Sequence, residues 1–172
     1  MLRSFIQTLD FKCKQEIGCY TTLIKDLPKK VEMISIGPDA LVRWATKVMA
    51  RRNIGALALV QDGVLIGIVS ERDIVRRCVA EDKRAGQTRI RDIMTPNPIT
   101  LGRDQSVLTA LAVMLENNVR HLPIECEAGK FCQMLSLKDV IAALRKTMEK
   151  QILNFLLAMA EDDLDNVIPM HR

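Results

Sequence analysis

Ile34-Ser35-Ile36-Gly37-Pro38-Asp39 returns later in the chain as Ile99-Thr100-Leu101-Gly102-Arg103-Asp104, an offset of 65 residues. At that offset Val42, Ala45, Val48, Met49 and Asn53 face Val107, Ala110, Val113, Met114 and Asn118. Ser70-Glu71-Arg72-Asp73-Ile74 then faces Ser136-Leu137-Lys138-Asp139-Val140 at an offset of 66, so one residue enters near Glu127-Ala128-Gly129. A self-similar period of this length is the mark of a structural repeat. The pattern predicts the same units twice. A short strand (33–36; 99–101) leads through a Gly-x-Asp turn into a helix (40–52; 105–117). Apolar residues recur there at helical spacing: Leu41, Trp44, Ala45, Val48 and Met49, then Val107, Leu108, Leu111, Met114 and Leu115. A hairpin follows (56–60 with 64–69; 121–125 with 131–135), turning at Asp62-Gly63 and Ala128-Gly129. A second helix opens at Ser70 or Ser136.

The expected fold class is therefore α/β of the α+β type, with two β-α-β-β-α repeats related by a pseudo-two-fold. Three short strands with helices on one face bury little alone. Two copies packed sheet to sheet into one core explain the doubling. The expected boundaries are an N-terminal extension at 1–22, repeats at 23–86 and 87–146, and a C-terminal helix with an acidic tail at 147–172. The stripe Ile141, Leu144, Met148, Ile152, Phe155 and Met159 predicts one long helix over about 138–160. It packs either on its own domain or on a partner helix in a homodimer. Trp44, in helical register, is expected in the core.

Composition narrows the function. The chain has 172 residues, 48% of them hydrophobic and 3% aromatic, and a net charge of +4. So few aromatics supply no base-stacking platform, and so small a charge does not argue for nucleic acid. No run approaches the ~18 apolar residues of a membrane span. Arg3, Asp10, Lys12 and Lys14 stand too early for a secretory leader, so a cytoplasmic protein is expected. The five cysteines show no two-residue spacing of a zinc knuckle and are expected as reduced thiols. His121 and His171 are the histidines.

The chain resembles a tandem pair of cystathionine-β-synthase (CBS) domains, a Bateman module, most like stand-alone bacterial CBS-pair proteins. The residues that carry the resemblance are Asn53-Ile54-Gly55-Ala56-Leu57, Gly67-Ile68-Val69-Ser70-Glu71-Arg72-Asp73-Ile74-Val75-Arg76, Ile93-Met94-Thr95-Pro96 and Val119-Arg120-His121-Leu122-Pro123-Ile124. It spans about residues 23–146. It implies a regulatory module, not an enzyme. Such a module binds an adenine nucleotide (AMP, ADP, ATP or NAD(H)) or S-adenosylmethionine, with no metal required. It implies two clefts, a homodimer and a regulated protein partner. The alternative is a structural dimerisation module with empty clefts.

The residues fit that chemistry. Ser70 opens a helix, whose unpaired N–H groups favour a phosphate. The resemblance gives Asp73 the ribose hydroxyls. Gly67 has no side chain, which leaves room for a flat base. Ile34 and Ser35, in the first strand, are expected to wall that first cleft; Ile99 and Thr100 are their counterparts. Arg72, Arg120 and His121 are candidates for phosphate charge. Ser136, Lys138 and Asp139 repeat the set in the second cleft, where Gln133 replaces the glycine. Ser-x-x-Asp is equally an ordinary helix cap, and His121 equally a half-buried strand residue. The basic run Arg72, Arg76, Arg77, Lys83, Arg84, Arg89 and Arg91 reads as a solvated face or a guide for an acidic partner or polyanion. No nucleophile stands beside a base in a pattern that points to an enzyme.

Overall fold

The computed structural model describes residues 22–28, 33–127 and 129–165. Readings that fall on residues 1–21, Cys13 and Cys19 among them, and on the side chains of Phe155 and Met159, lie outside the described part.

Both repeats form, and they agree in register. In the first, β1 (Ser35–Ile36) leads to α1 (Val42–Arg52), then to the hairpin β2 (Ala56–Gln61) and β3 (Val64–Ser70). A short helix α2 (Glu71–Ile74) follows and relaxes into a π-type turn at Val75–Val79. After β4 (Thr95–Pro96), the second repeat runs β5 (Leu101–Gly102), α3 (Val107–Glu116), β6 (His121–Glu127), β7 (Lys130–Ser136) and α4 (Leu137–Asp165). Ser35 pairs in parallel with Ala58, and Leu101 with Ile124 at the same separation. The hairpins are antiparallel. Asp62 and Gly63 both have positive φ (51° and 80°), as a tight Asp-Gly hairpin turn requires. Asn53 and Asn118 close their helices at φ 52° and 51°. The one-residue insertion of the second repeat is absorbed at Cys126, where β6 has a register shift that its counterpart lacks.

Three expectations change. The core is two clusters, one under each repeat, instead of one core between the sheets. Each helix set covers the apolar face of its own sheet, and only the leading segments cross between the clusters. Trp44 is 54% exposed. Helix α1 turns Val42, Ala45 and Met49 inward, and Trp44 falls on its flank. Cys126 and Cys132 are joined as a disulfide across the β6–β7 bulges, with Cα atoms 5.9 Å apart, whereas Cys78 is a buried free thiol.

The repeats are locked by an exchange of their leading turns. Thr22–Leu27 precedes the first repeat but docks on the second. Ile24 N–H donates to the Gln105 carbonyl (3.0 Å), Val107 N–H donates back to Thr22 (3.0 Å), and Ile24 is buried in the second cluster. The counterpart before the second repeat docks on the first. Ile90 N–H donates to the Ala40 carbonyl (2.8 Å), Val42 N–H to Thr88 (2.9 Å), and Ile90 and Ile93 fill the first cluster.

Strand β4 completes this crossing by adding an edge to β3, with Gly67 opposite Pro96. The room above Gly67, expected to take a base, is filled by this strand. A Cβ at Gly67 would stand 2.7 Å from Met94 Sδ and 2.9 Å from the Thr95 carbonyl oxygen. Gly67→Ala is therefore expected to destabilise the fold by about 1–3 kcal/mol, the usual cost of overpacking. Thermal unfolding would show this as a drop of several degrees; an unchanged midpoint would mean that β4 does not press on Gly67.

Candidate functional site

Each repeat ends its hairpin on a serine that caps the next helix. Ser136 Oγ donates to Asp139 Oδ2 (2.5 Å), Ser136 N–H donates to the same oxygen (3.2 Å), and Asp139 N–H donates back to Ser136 Oγ (3.2 Å). Ser70 and Asp73 repeat this box at 2.6, 2.9 and 3.3 Å. The first backbone N–H of each following helix is tied to the other side of the hairpin: Glu71 to the Gly55 carbonyl, Leu137 to Arg120. The cap therefore fixes Asp139 and Asp73 relative to β6 and β2.

The two boxes have different surroundings. Arg77, a turn beyond Asp73, bonds the carbonyls of Ile93 (3.0 Å) and Met94 (2.7 Å), and lies 3.6 Å from Asp73 Oδ1. The equivalent position beyond Asp139 is Ala143. With alanines at 142 and 143 the wall recedes, and a cleft of about 1030 Å³ opens beside Ser136 and Asp139. The C-terminal end of α1 and the Asn53–Ala56 turn form the facing wall; Thr22 and 26–28 close one side.

Among the predicted residues, the structure gathers Ile34, His121, Ser136, Lys138 and Asp139 around this cleft. Ile34 was expected beside Asp73. It stays on the first repeat, with its carbonyl accepting from Ala58 N–H (3.2 Å) and its side chain packed on the first cluster, but Met33 N–H donates to the Cys132 carbonyl (3.2 Å) and Ile34 lines the cleft beside Asp139. Gly67, Ser70, Arg72 and Asp73 stay together on the first repeat, where the Arg72 guanidinium reaches the Asn118 carbonyl at 3.3 Å. Ser35, Ile99, Thr100 and Arg120 lie off the wall of the open cleft. Gln133 lines it without filling it. Sequence reasoning missed Glu71, Arg52, Lys146 and Lys150. Alignment of Arg77 on Ala143 was the available signal for which cleft opens.

His121 stands at the seam. A Cβ on Gly55 would lie 3.2 Å from its imidazole and 3.4 Å from Glu71 Oε2. Burial, with Arg120 adding to it, holds His121 below the ordinary imidazole value of 6.5, against the opposing pull of Glu71 and Asp139. Among the described residues no cluster of His, Cys, Asp and Glu is placed to hold a metal ion.

A CBS-domain family model matches residues 24–80 and 90–146. The chain belongs to the CBS-domain family, as a tandem pair. It is 33% identical over 140 residues to the mitochondrial CBS domain-containing protein CBSX3 of Arabidopsis thaliana, covering 75% of this chain and 68% of that one. Four longer relatives from Arabidopsis thaliana are matched over only 22–23% of their length. A protein with CBS domains from Burkholderia ambifaria superposes with a TM-score of 0.66 at 30% identity, over 73% of this chain and 92% of that one. The CBS pair of protein MJ0100, solved with 5′-methylthioadenosine and S-adenosylmethionine, gives 0.65 at 26% identity, over 73% and 98%.

The His121 environment sets a pH dependence. Its pKa in the folded chain is below that in the unfolded chain, so as pH falls the unfolded chain takes up the proton first. The contribution of His121 is full above about 6.5 and is lost as pH falls from there toward the folded value. The unfolding midpoint is expected to drop in that window, and His121→Asn is expected to flatten the drop. Equal pH slopes for both chains would sink the assignment.

Proposed function

We propose that the chain is a regulatory module, without catalytic activity of its own, that binds an adenosine-containing ligand in the Ser136–Asp139 cleft. As a homodimer in the cytoplasm, it passes that state to a protein partner. The observation that carries this is the open cleft itself. Its Asp139 carboxylate is set by a helix cap, and its apolar wall comes from Ile34, Ile54 and Met49. A carboxylate suits paired ribose hydroxyls and an apolar wall suits a base. The adenosyl ligands in the MJ0100 pair support the same class. Arg77, held on Asp73 and two carbonyls, occupies the corresponding place in the first repeat, so this reading puts one ligand on each chain.

Helix α4 supports the homodimer. Ile141, Met148 and Ile152 are 56%, 62% and 58% exposed, on a helix that runs well past the repeat it packs against. An isologous pairing of two α4 helices would cover this stripe. Among the described residues no helix is long and apolar enough to cross a membrane.

Two measurements test the reading. Calorimetry with AMP, ATP and S-adenosylmethionine is expected to show one site per chain. Asp139→Asn is expected to weaken it at least tenfold, while Asp73→Asn stays within about twofold; equal effects of the two substitutions would refute the placement. Light scattering should give a dimer, and Met148→Glu combined with Ile152→Glu a monomer. A dimer that survives that pair of charges would exclude α4 as the seam. Regulation needs a further result, a partner whose affinity differs between the liganded and empty states.

A further inference from the structure

The cleft has a second chemical character along α4. Asp139, Ala142, Ala143, Lys146, Thr147 and Lys150 all line it, at the three- and four-residue steps of a single helix face. Lys146 and Lys150 are thus like charges one turn apart on that face, an arrangement that a helix disfavours. Neither makes an ion pair among the described residues. The neighbouring carboxylate, Glu149, is held by Arg145 instead, at 3.4 Å.

The helix start cannot do the work of these lysines. Its cap uses the Ser136 hydroxyl, the Ser136 N–H and the Asp139 N–H. With Leu137 N–H on the Arg120 carbonyl, most of the donors first expected for a phosphate are therefore engaged. Cationic side chains are the larger remaining source of anion binding, and α4 carries them upward from Asp139. Helical side chains lean toward the N-terminus, so both lysines lean down toward the carboxylate. Four residues, about 6 Å of helical rise, separate them, a span that suits the two ends of a triphosphate chain better than a single phosphate. The alanines at 142 and 143 leave the path between Asp139 and Lys146 unobstructed. Arg52 adds a cation to the cleft lining.

We propose that Lys146 and Lys150 form a polyphosphate subsite, so that the ligand of this cleft is a nucleoside triphosphate, with its ribose at Asp139 and its phosphates along α4. The proposal rests on the adenosine-ligand reading above and narrows it. A monophosphate fails to reach both ammoniums, and a sulfonium such as S-adenosylmethionine brings a positive charge toward them.

The test is calorimetry on the full chain and on Lys146→Ala combined with Lys150→Ala, in EDTA, with ATP, AMP and inorganic tripolyphosphate as probes. ATP is expected to bind the unaltered chain at least tenfold tighter than AMP. The double variant is expected to lose at least tenfold for ATP while AMP stays within about twofold. Tripolyphosphate is expected to compete with ATP on the unaltered chain, and all three effects should weaken with added salt. AMP binding as tight as ATP, or equal losses for both in the variant, overturns the subsite and leaves the adenosine reading standing. Tripolyphosphate binding that needs the lysines, without binding of either nucleotide, keeps the anion site and overturns the adenosine reading. No binding of any probe overturns both.

Discussion

The exchange of leading turns is the constraint from which the rest of the structure follows. Ile24 belongs by sequence to the first repeat and by burial to the second; Ile90 and Ile93 do the reverse. Each is fully or nearly fully buried, and Ile24 and Ile90 donate their N–H groups to the turn that precedes the other repeat's helix, at Gln105 and Ala40. Burying side chains of this kind stabilises by about 1.5–3 kcal/mol apiece. Neither repeat completes its core alone. The crossing also fixes where the clefts lie, because the segment that enters each first strand must pass the hairpin of the opposite repeat. Met33 on Cys132 and β4 on Gly67 are the two instances.

On that symmetric frame, small substitutions produce an asymmetric molecule. Arginine at 77 ties Asp73 to the backbone at 93 and 94. Alanine stands at the equivalent position 143 and lines the cleft. Gly67 and Gln133 differ in the same sense: the glycine is covered closely by Met94, whereas the glutamine lines open space. Duplication thus supplies two capped carboxylates in different surroundings, one beside Arg77 and the other beside Ala143.

Much of this was legible in the sequence. The offset of 65 or 66 residues placed strands, hairpins and caps within a few positions, because register follows from apolar alternation and from Asp-Gly and Asn turns. The carboxylates were found by the same route. What escaped was tertiary. Thr95-Pro96 has no strand pattern of its own and becomes β4 only because β3 offers an edge. That Ile34 lines the cleft beside Asp139 depends on a contact between the repeats that no local pattern encodes. Trp44 reads as core by spacing alone, yet a helix of eleven residues with three buried positions has room for it outside. The Cys126–Cys132 contact needed two bulges to bring the residues opposite, and a bulge is nearly invisible in composition. Lys146 and Lys150 belong to no motif, and only the facing wall makes them part of a cleft.

Helix α4 gives the cap at its base a mechanical meaning. Twenty-nine residues extend about 43 Å at the standard rise, roughly the width of a domain of this size. Asp139 sits in the first turn, and its carboxylate both closes the cap and faces the cleft. A molecule that engages that carboxylate pulls on the short end of a rigid rod. A tilt of only about 5° there sweeps the far end by nearly ~4 Å, more than half the pitch of a helix. A long arm of this kind would turn a displacement too small to be felt inside the repeats into one that a neighbouring surface could register.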